Sequence, residues 1–91
     1  KDLAIEANRR AIRQDPSDFD GYQYLAQIYL QMDQKPQGIQ VLDDAAKQTK
    51  VDAEFLIDLG DAYLAFARNN PQDPARPKAL DAFRRLELFS P

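Results

Sequence analysis

Asp58 and Asp61 lie one helical turn apart within AEFLIDLGDAYLAFAR. Two carboxylates at that spacing share a helix face, the arrangement that general acid–base catalysis or a metal ion would use. The rest of the composition supplies no companions for them. The chain contains no His and no Cys, so it has no imidazole base, no thiolate nucleophile, no disulfide and none of the usual zinc ligands. The pair therefore reads as a solvated acidic face, and no catalytic, metal or cofactor site is expected. Tyr22, Tyr24 and Tyr29 suggest an aromatic cage for a ligand. However, Tyr22 and Tyr29 are seven residues apart on one helical face, the spacing of packed core, and Tyr24 alone should point to solvent.

The elements that carry these residues are helices. Leu3, Ala4, Ala7, Ala11 and Ile12 recur at helical spacing over residues 2–14, opposite Arg9, Arg10 and Arg13, and Asp15-Pro16 ends the run. Ser17 or Asp18 caps a second helix that continues to about Met32. Lys35-Pro36 opens a third, with proline in the first turn where its missing N–H costs nothing, and it runs to about Lys47. Asp52 caps a fourth, extending to Arg68, and Arg76-Pro77 opens a fifth that ends near Phe89. Between these last two, NNPQDPA has low propensity for any regular structure and forms a surface loop. No tract is long and apolar enough to span a membrane, and no signal-peptide pattern is present. Beginning at Lys1 rather than Met, in the middle of a repeat, the sequence is expected to be a piece of a longer chain.

The chain matches itself at an offset of 34 residues: Asp18 falls on Asp52, Asp20 on Glu54, Leu25 on Leu59, Ala26 on Gly60, Tyr29 on Tyr63 and Leu30 on Leu64. Ala4, Ile5, Ala11 and Gln14 fall likewise on Gly38, Ile39, Ala45 and Gln48. After the fourth helix the offset becomes 41, with Pro36 on Pro77, Gly38 on Ala79 and Leu42 on Phe83, so seven residues are inserted near 69–75. Such a period marks a helix pair that buries its apolar faces only by stacking on neighbours. Small residues at Ala26, Gly60, Gly38, Ala79, Ala45 and Ala11 would let paired helices approach closely.

At these positions the chain resembles the tetratricopeptide repeat family. Its pattern of a large residue, Leu, a small residue, Tyr, then Ala, an aromatic or Leu, Ala and Pro is met by Tyr22, Leu25, Ala26, Tyr29, Gly38, Leu42 and Ala45, with Lys50 where proline is expected. It is met again by Leu56, Leu59, Gly60, Tyr63, Ala79, Phe83, Leu86 and Pro91, and the first half repeat supplies Ala4, Ala11 and Pro16. The resemblance implies an all-α, right-handed solenoid of antiparallel helix pairs with five helices. The expected divisions are 1–17 for the second helix of a partial repeat, 18–51 for a full repeat and 52–91 for a repeat with the insertion.

The resemblance also implies a non-enzymatic module for binding proteins, with the first helix of each pair lining a concave face. That face comprises Asp20, Gln23, Gln27, Leu30 and Gln31, then Glu54, Ile57, Asp61, Leu64 and Ala65, with Tyr24 and Asp58 beside it. Members that clamp a peptide's terminal carboxylate use Lys, Asn and Arg there, and none occurs at these positions. A basic or amide-rich segment, or an amphipathic helix seated on Leu30, Ile57 and Leu64, suits them better. Residues 15–61 carry ten acids against three bases within a net charge of −3, which disfavours nucleic acid and with it the RNA-binding pentatricopeptide repeats.

The last helix is apolar over a wider band than one neighbour covers: Leu80, Phe83, Leu86 and Phe89, with Ala79, Ala82 and Leu88. The expected cover is the next repeat in a longer chain or a second copy of the molecule. The second reading of function is therefore self-assembly through terminal helices.

Overall fold

The computed structural model describes residues 2–68 and 70–89. They form five α-helices, α1 (Asp2–Gln14), α2 (Phe19–Gln31), α3 (Lys35–Ala46), α4 (Ala53–Ala67) and α5 (Ala75–Arg84), followed by a 3-10 turn, Arg85–Phe89. The fold is all-α. Lys1, Asn69 of the insertion, and Pro91 at the family's proline position lie outside the described residues.

Local chemistry sets the boundaries. Of the two cap candidates before α2, Asp18 takes the position and accepts from the Asp20 N–H, while the Ser17 hydroxyl donates to Asp15 Oδ1 at 2.7 Å. Asp52 plays the same part for α4, accepting from the Phe55 N–H at 2.9 Å. α2 stops where Asp33 adopts a φ of 58°, a left-handed turn that Asp tolerates better than most residues, and the Gln34 N–H returns to the Tyr29 carbonyl at 2.8 Å. The fifth helix begins one residue earlier than expected, at Ala75, because the Asp73 carboxylate accepts from the Ala75 N–H at 2.9 Å. Its end also differs, since the chain tightens to 3-10 geometry from Arg85 onward.

Each helix packs on the next, and α2 also touches α4. The result is a slab with extents of 43 × 33 × 15 Å. Tyr22, Leu25, Leu42, Leu56, Leu59 and Tyr63 are fully buried between the layers. Leu56 stands where the repeat has a large aromatic residue, and Phe55 beside it restores the ring: it meets Phe19 edge-on at 5.2 Å and Tyr22 at 5.9 Å.

The small residues do not all pack as expected. A β-carbon at Gly38 would come within 2.7 Å of the Phe66 ring, so glycine there admits an aromatic ring from α4. Ala45 and Ala79 are fully buried, but Ala11 is exposed, because α1 buries no residue and packs through half-buried Ile5, Asn8 and Ile12, with Arg9 donating to the Tyr29 hydroxyl at 2.7 Å.

Polar contacts fasten the outer helices. Asp43 of α3 accepts from the Tyr63 hydroxyl at 2.7 Å and pairs with Lys78 of α5 at 3.0 Å. Arg85 donates to the carbonyls of Ala46 and Gln48 at 2.9 and 2.7 Å, filling acceptors that the end of α3 leaves open. The inserted loop, expected on the surface, instead inserts Asp73 into the fold, where it is buried and ion-paired with Lys35 of α3.

Candidate functional site

α2 and α4 lie side by side in the same direction, with their N-termini together at Phe19 and Phe55 and their C-termini together at Leu30 and Phe66. A cleft of about 520 Å³ runs between them. On the α2 side it is lined by Gln23, Gln27 and Gln31, successive residues of one stripe at four-residue spacing, with Ala26 and Leu30 next to them. On the α4 side Asp58, Asp61, Ala62, Ala65 and Phe66 line it, and Arg68 closes its far end.

The cleft continues at both ends. Asp58 is shared with a hollow of about 390 Å³ over the helix N-termini, walled by the carboxylates of Asp15, Asp18, Asp20, Asp52, Glu54 and Asp58 around the edges of Phe19 and Phe55. Asp18, Asp20, Asp52 and Glu54 sit at the starts of α2 and α4, where the helix dipoles favour negative charge. At the other end Leu30, Gln31, Ala65, Phe66 and Arg68 are shared with a hollow of about 670 Å³ that reaches Lys35, Asn70 and Asp73.

The charge along this channel is not neutralised by the chain. Among the described residues the ion pairs are Arg13 with Glu6, Lys35 with Asp73, Lys47 with Asp44, Lys78 with Asp43 and Arg84 with Asp81, none of which involves α2 or α4. Burial raises the Asp58 pKa, and the neighbouring charges of Asp61, Asp20 and Asp52 raise it further. At the far hollow the Lys35 ammonium and then the Ala75 N–H hold the Asp73 carboxyl below its ordinary value. Among the described residues no group of His, Cys, Asp or Glu side chains is arranged to hold a metal ion, and no helix is long and apolar enough to cross a membrane.

Of the residues singled out from the sequence, Gln23, Gln27, Leu30, Gln31, Asp58 and Asp61 come together in the cleft, and Asp20 and Glu54 stand at its acidic mouth. Tyr24, Ile57 and Leu64 are exposed at 57%, 43% and 39% and line none of the three hollows, whereas Leu30 lines the cleft. The reason is the rotation of α4, whose stripe Asp58, Asp61, Ala62 and Ala65 faces the cleft and turns Ile57 and Leu64 to its flank. Ala26, Ala62, Phe66 and Arg68 were not anticipated. Asp58, Ala62 and Phe66 share a face at four-residue steps, but which face meets α2 is set by packing, and Arg68 depends on how the helix ends, with a φ of 40°.

The terminal residues divide similarly. Leu80 and Phe89 are half-exposed and Leu86 is partly covered, but the Phe83 ring lies against Gly60 and belongs to the helix seam.

Residues 7–40 match the family model described as tetratricopeptide repeat. Over that stretch the chain is similar to a tetratricopeptide repeat. The matched stretch starts inside α1, takes in all of α2 and ends inside α3, so it contains the α2 wall of the cleft. No curated protein and no solved structure matches the chain. Tetratricopeptide repeats serve generally as protein–protein interaction modules.

Proposed function

We propose that this tetratricopeptide repeat chain is a non-enzymatic scaffold that holds a peptide or partner helix of another protein against the α2–α4 face, the concave face of the family. The observation that carries the reading is the continuous channel from the acidic mouth to Arg68, whose α2 and α4 carboxylates make no ion pair among the described residues and whose floor is apolar at Leu30 and Phe66. Leu30 and Phe66 give the cleft an apolar floor on which a partner's side chain can seat. Asp58 and Asp61 serve recognition in this reading, since no base, nucleophile or second polar cluster accompanies them.

The test is a comparison of partner capture by the native chain and by a Gln27→Arg, Asp61→Arg double variant. Both positions are exposed, so the fold should survive, which circular dichroism checks. Loss of the captured protein is the expected outcome. Equal capture by the variant would remove the α2–α4 face from consideration.

A second reading rests on a separate observation. Leu3 and Leu88 are exposed at 86% and 82%, and Leu80 and Phe89 about half, at opposite ends of the slab. In that reading terminal helices stack copies of the chain or neighbouring repeats, and a Leu80→Asp, Phe89→Asp variant should remain monomeric where the native chain forms dimers or longer series by light scattering. Monomeric native chain at every concentration would end that reading.

A further inference from the structure

Three features of the channel were set by different parts of the sequence, and together they describe one kind of ligand. Gln23, Gln27 and Gln31 repeat every four residues, about 6 Å along a helix axis. The backbone of an extended peptide presents its N–H and C=O groups to one side every two residues, about 6.6 Å apart. An amide offers both donor and acceptor, so a ladder of glutamines matches such a backbone in spacing and in chemistry. Gln40 and Gln48 use their amides within the chain at 3.0 and 3.4 Å, whereas those of Gln23, Gln27 and Gln31 bond no other described residue.

Charge fixes what must lie at one end. The carboxylates at the mouth have no cationic partner among the described residues, and their mutual repulsion is felt at Asp58, the residue that joins mouth and cleft. The far end is apolar at Leu30, Ala65 and Phe66 and carries Arg68. From Asp20 to Leu30 is ten residues of helix, about 15 Å, which an extended chain covers in about five residues.

We infer that the occupant of the channel is an extended peptide segment of another protein, with lysine or arginine at the acidic mouth and, about five residues away, a large apolar side chain between Leu30 and Phe66. The inference rests on the reading of the α2–α4 face as the binding surface and adds conformation, spacing and charge. A helical ligand of the same length would need about ten residues between its basic and apolar groups, and its internally bonded backbone would leave the glutamine ladder unused.

The experiment pans a phage library of random twelve-residue peptides against the whole chain, then measures selected synthetic peptides against two variants. One reverses charge at the mouth, Asp20→Lys with Glu54→Lys; the other is Gln27→Arg with Asp61→Arg in the cleft. Expected are peptides that pair basic residues with an apolar residue about five positions away and bind the mouth variant about ten-fold more weakly at low salt, less so as salt rises. Selected peptides without basic residues, a basic-to-apolar spacing of about ten, or no enrichment at all would overturn the inference. If such peptides nevertheless lose affinity for the cleft variant, the α2–α4 face keeps its role and only the ligand chemistry falls. If neither variant weakens them, both readings fall.

Discussion

The ring of Phe83 lies so close over Gly60 that a β-carbon there would come within 2.3 Å of Phe83 Cε1. α5 can pack on α4 at this distance because the residue beneath the ring has no side chain. Gly60→Ala removes a glycine from a helix interior, a change worth up to about 1 kcal/mol in favour of the helix. It also forces an aromatic ring out of a packed seam, at about 1–3 kcal/mol. The net outcome expected in urea unfolding is destabilisation.

Gly21 provides the contrast. A β-carbon there would come within 2.9 Å of the Ile12 Cγ1 atom, but Ile12 belongs to the outer helix α1, which buries no residue and can shift outward as a whole. Gly21→Ala should be neutral or should stabilise by up to about 1 kcal/mol. The opposite signs of two identical substitutions, measured in the same titration, test whether helix proximity and not glycine content sets the requirement. A loss at Gly21 as large as that at Gly60 would contradict this account.

Asp73 makes the inserted loop a brace between α3 and α5. Its carboxyl is held below its ordinary value by Lys35 first and by the Ala75 N–H second, so the folded state binds this proton more weakly than the unfolded chain does. The stabilisation is therefore complete above the unfolded carboxyl's pKa and is lost as pH falls through the folded one. Asp73→Asn should lower the melting temperature at neutral pH, and the gap to the native chain should close in acid. A gap that persists at pH about 2 would assign the effect to packing instead of charge.

Tyr63 behaves in the opposite direction. Burial, and then the hydrogen bond to Asp43, raise its pKa well above the ordinary phenol range, so the folded state holds the proton more tightly. This stabilisation is present below the unfolded phenol's pKa and is lost as pH rises toward the folded one. Alkaline titration followed at the phenolate absorbance should show Tyr63 ionising only with unfolding. Asp43→Ala leaves the Tyr63 hydroxyl without its acceptor and should cost about 1–3 kcal/mol, more than Tyr63→Phe at about 1 kcal/mol.

The helices were legible in the sequence because their signals are local. Apolar spacing, Asp18, Asp52 and Pro36 each act within a turn or two of their own position. The α2 wall was legible for the same reason, since Gln23, Gln27 and Gln31 share a face whatever α2 packs against. The α4 wall depends on how that helix is rotated against its neighbours, a tertiary quantity, which brings Asp58, Ala62 and Phe66 to the cleft and sets Ile57 and Leu64 beside it. The anchoring of Asp73 by Lys35 joins residues 38 apart and leaves no periodic trace. Phe83 has the apolar character of an end residue and the position of a seam residue, and only the ring's place over Gly60 distinguishes them.

Asp58 links stability to the proposed peptide site. With burial and three neighbouring carboxylates acting against its ionised form, its folded pKa is raised above the unfolded value. Above that pKa the charge therefore opposes folding, and the opposition fades as pH falls through it. Asp58→Asn should raise the melting temperature at neutral pH, with the advantage shrinking in acid as the native carboxyl takes up its proton. The same substitution removes a charge from the junction of mouth and cleft, so a basic peptide bound there should be held more weakly even as the protein becomes harder to unfold. Opposite changes in the two measurements would mark Asp58 as a residue retained for binding at a cost in stability. A variant that is both less stable and unchanged in peptide affinity would place Asp58 in the packing of α4 and leave the channel's polarity to Asp20 and Glu54.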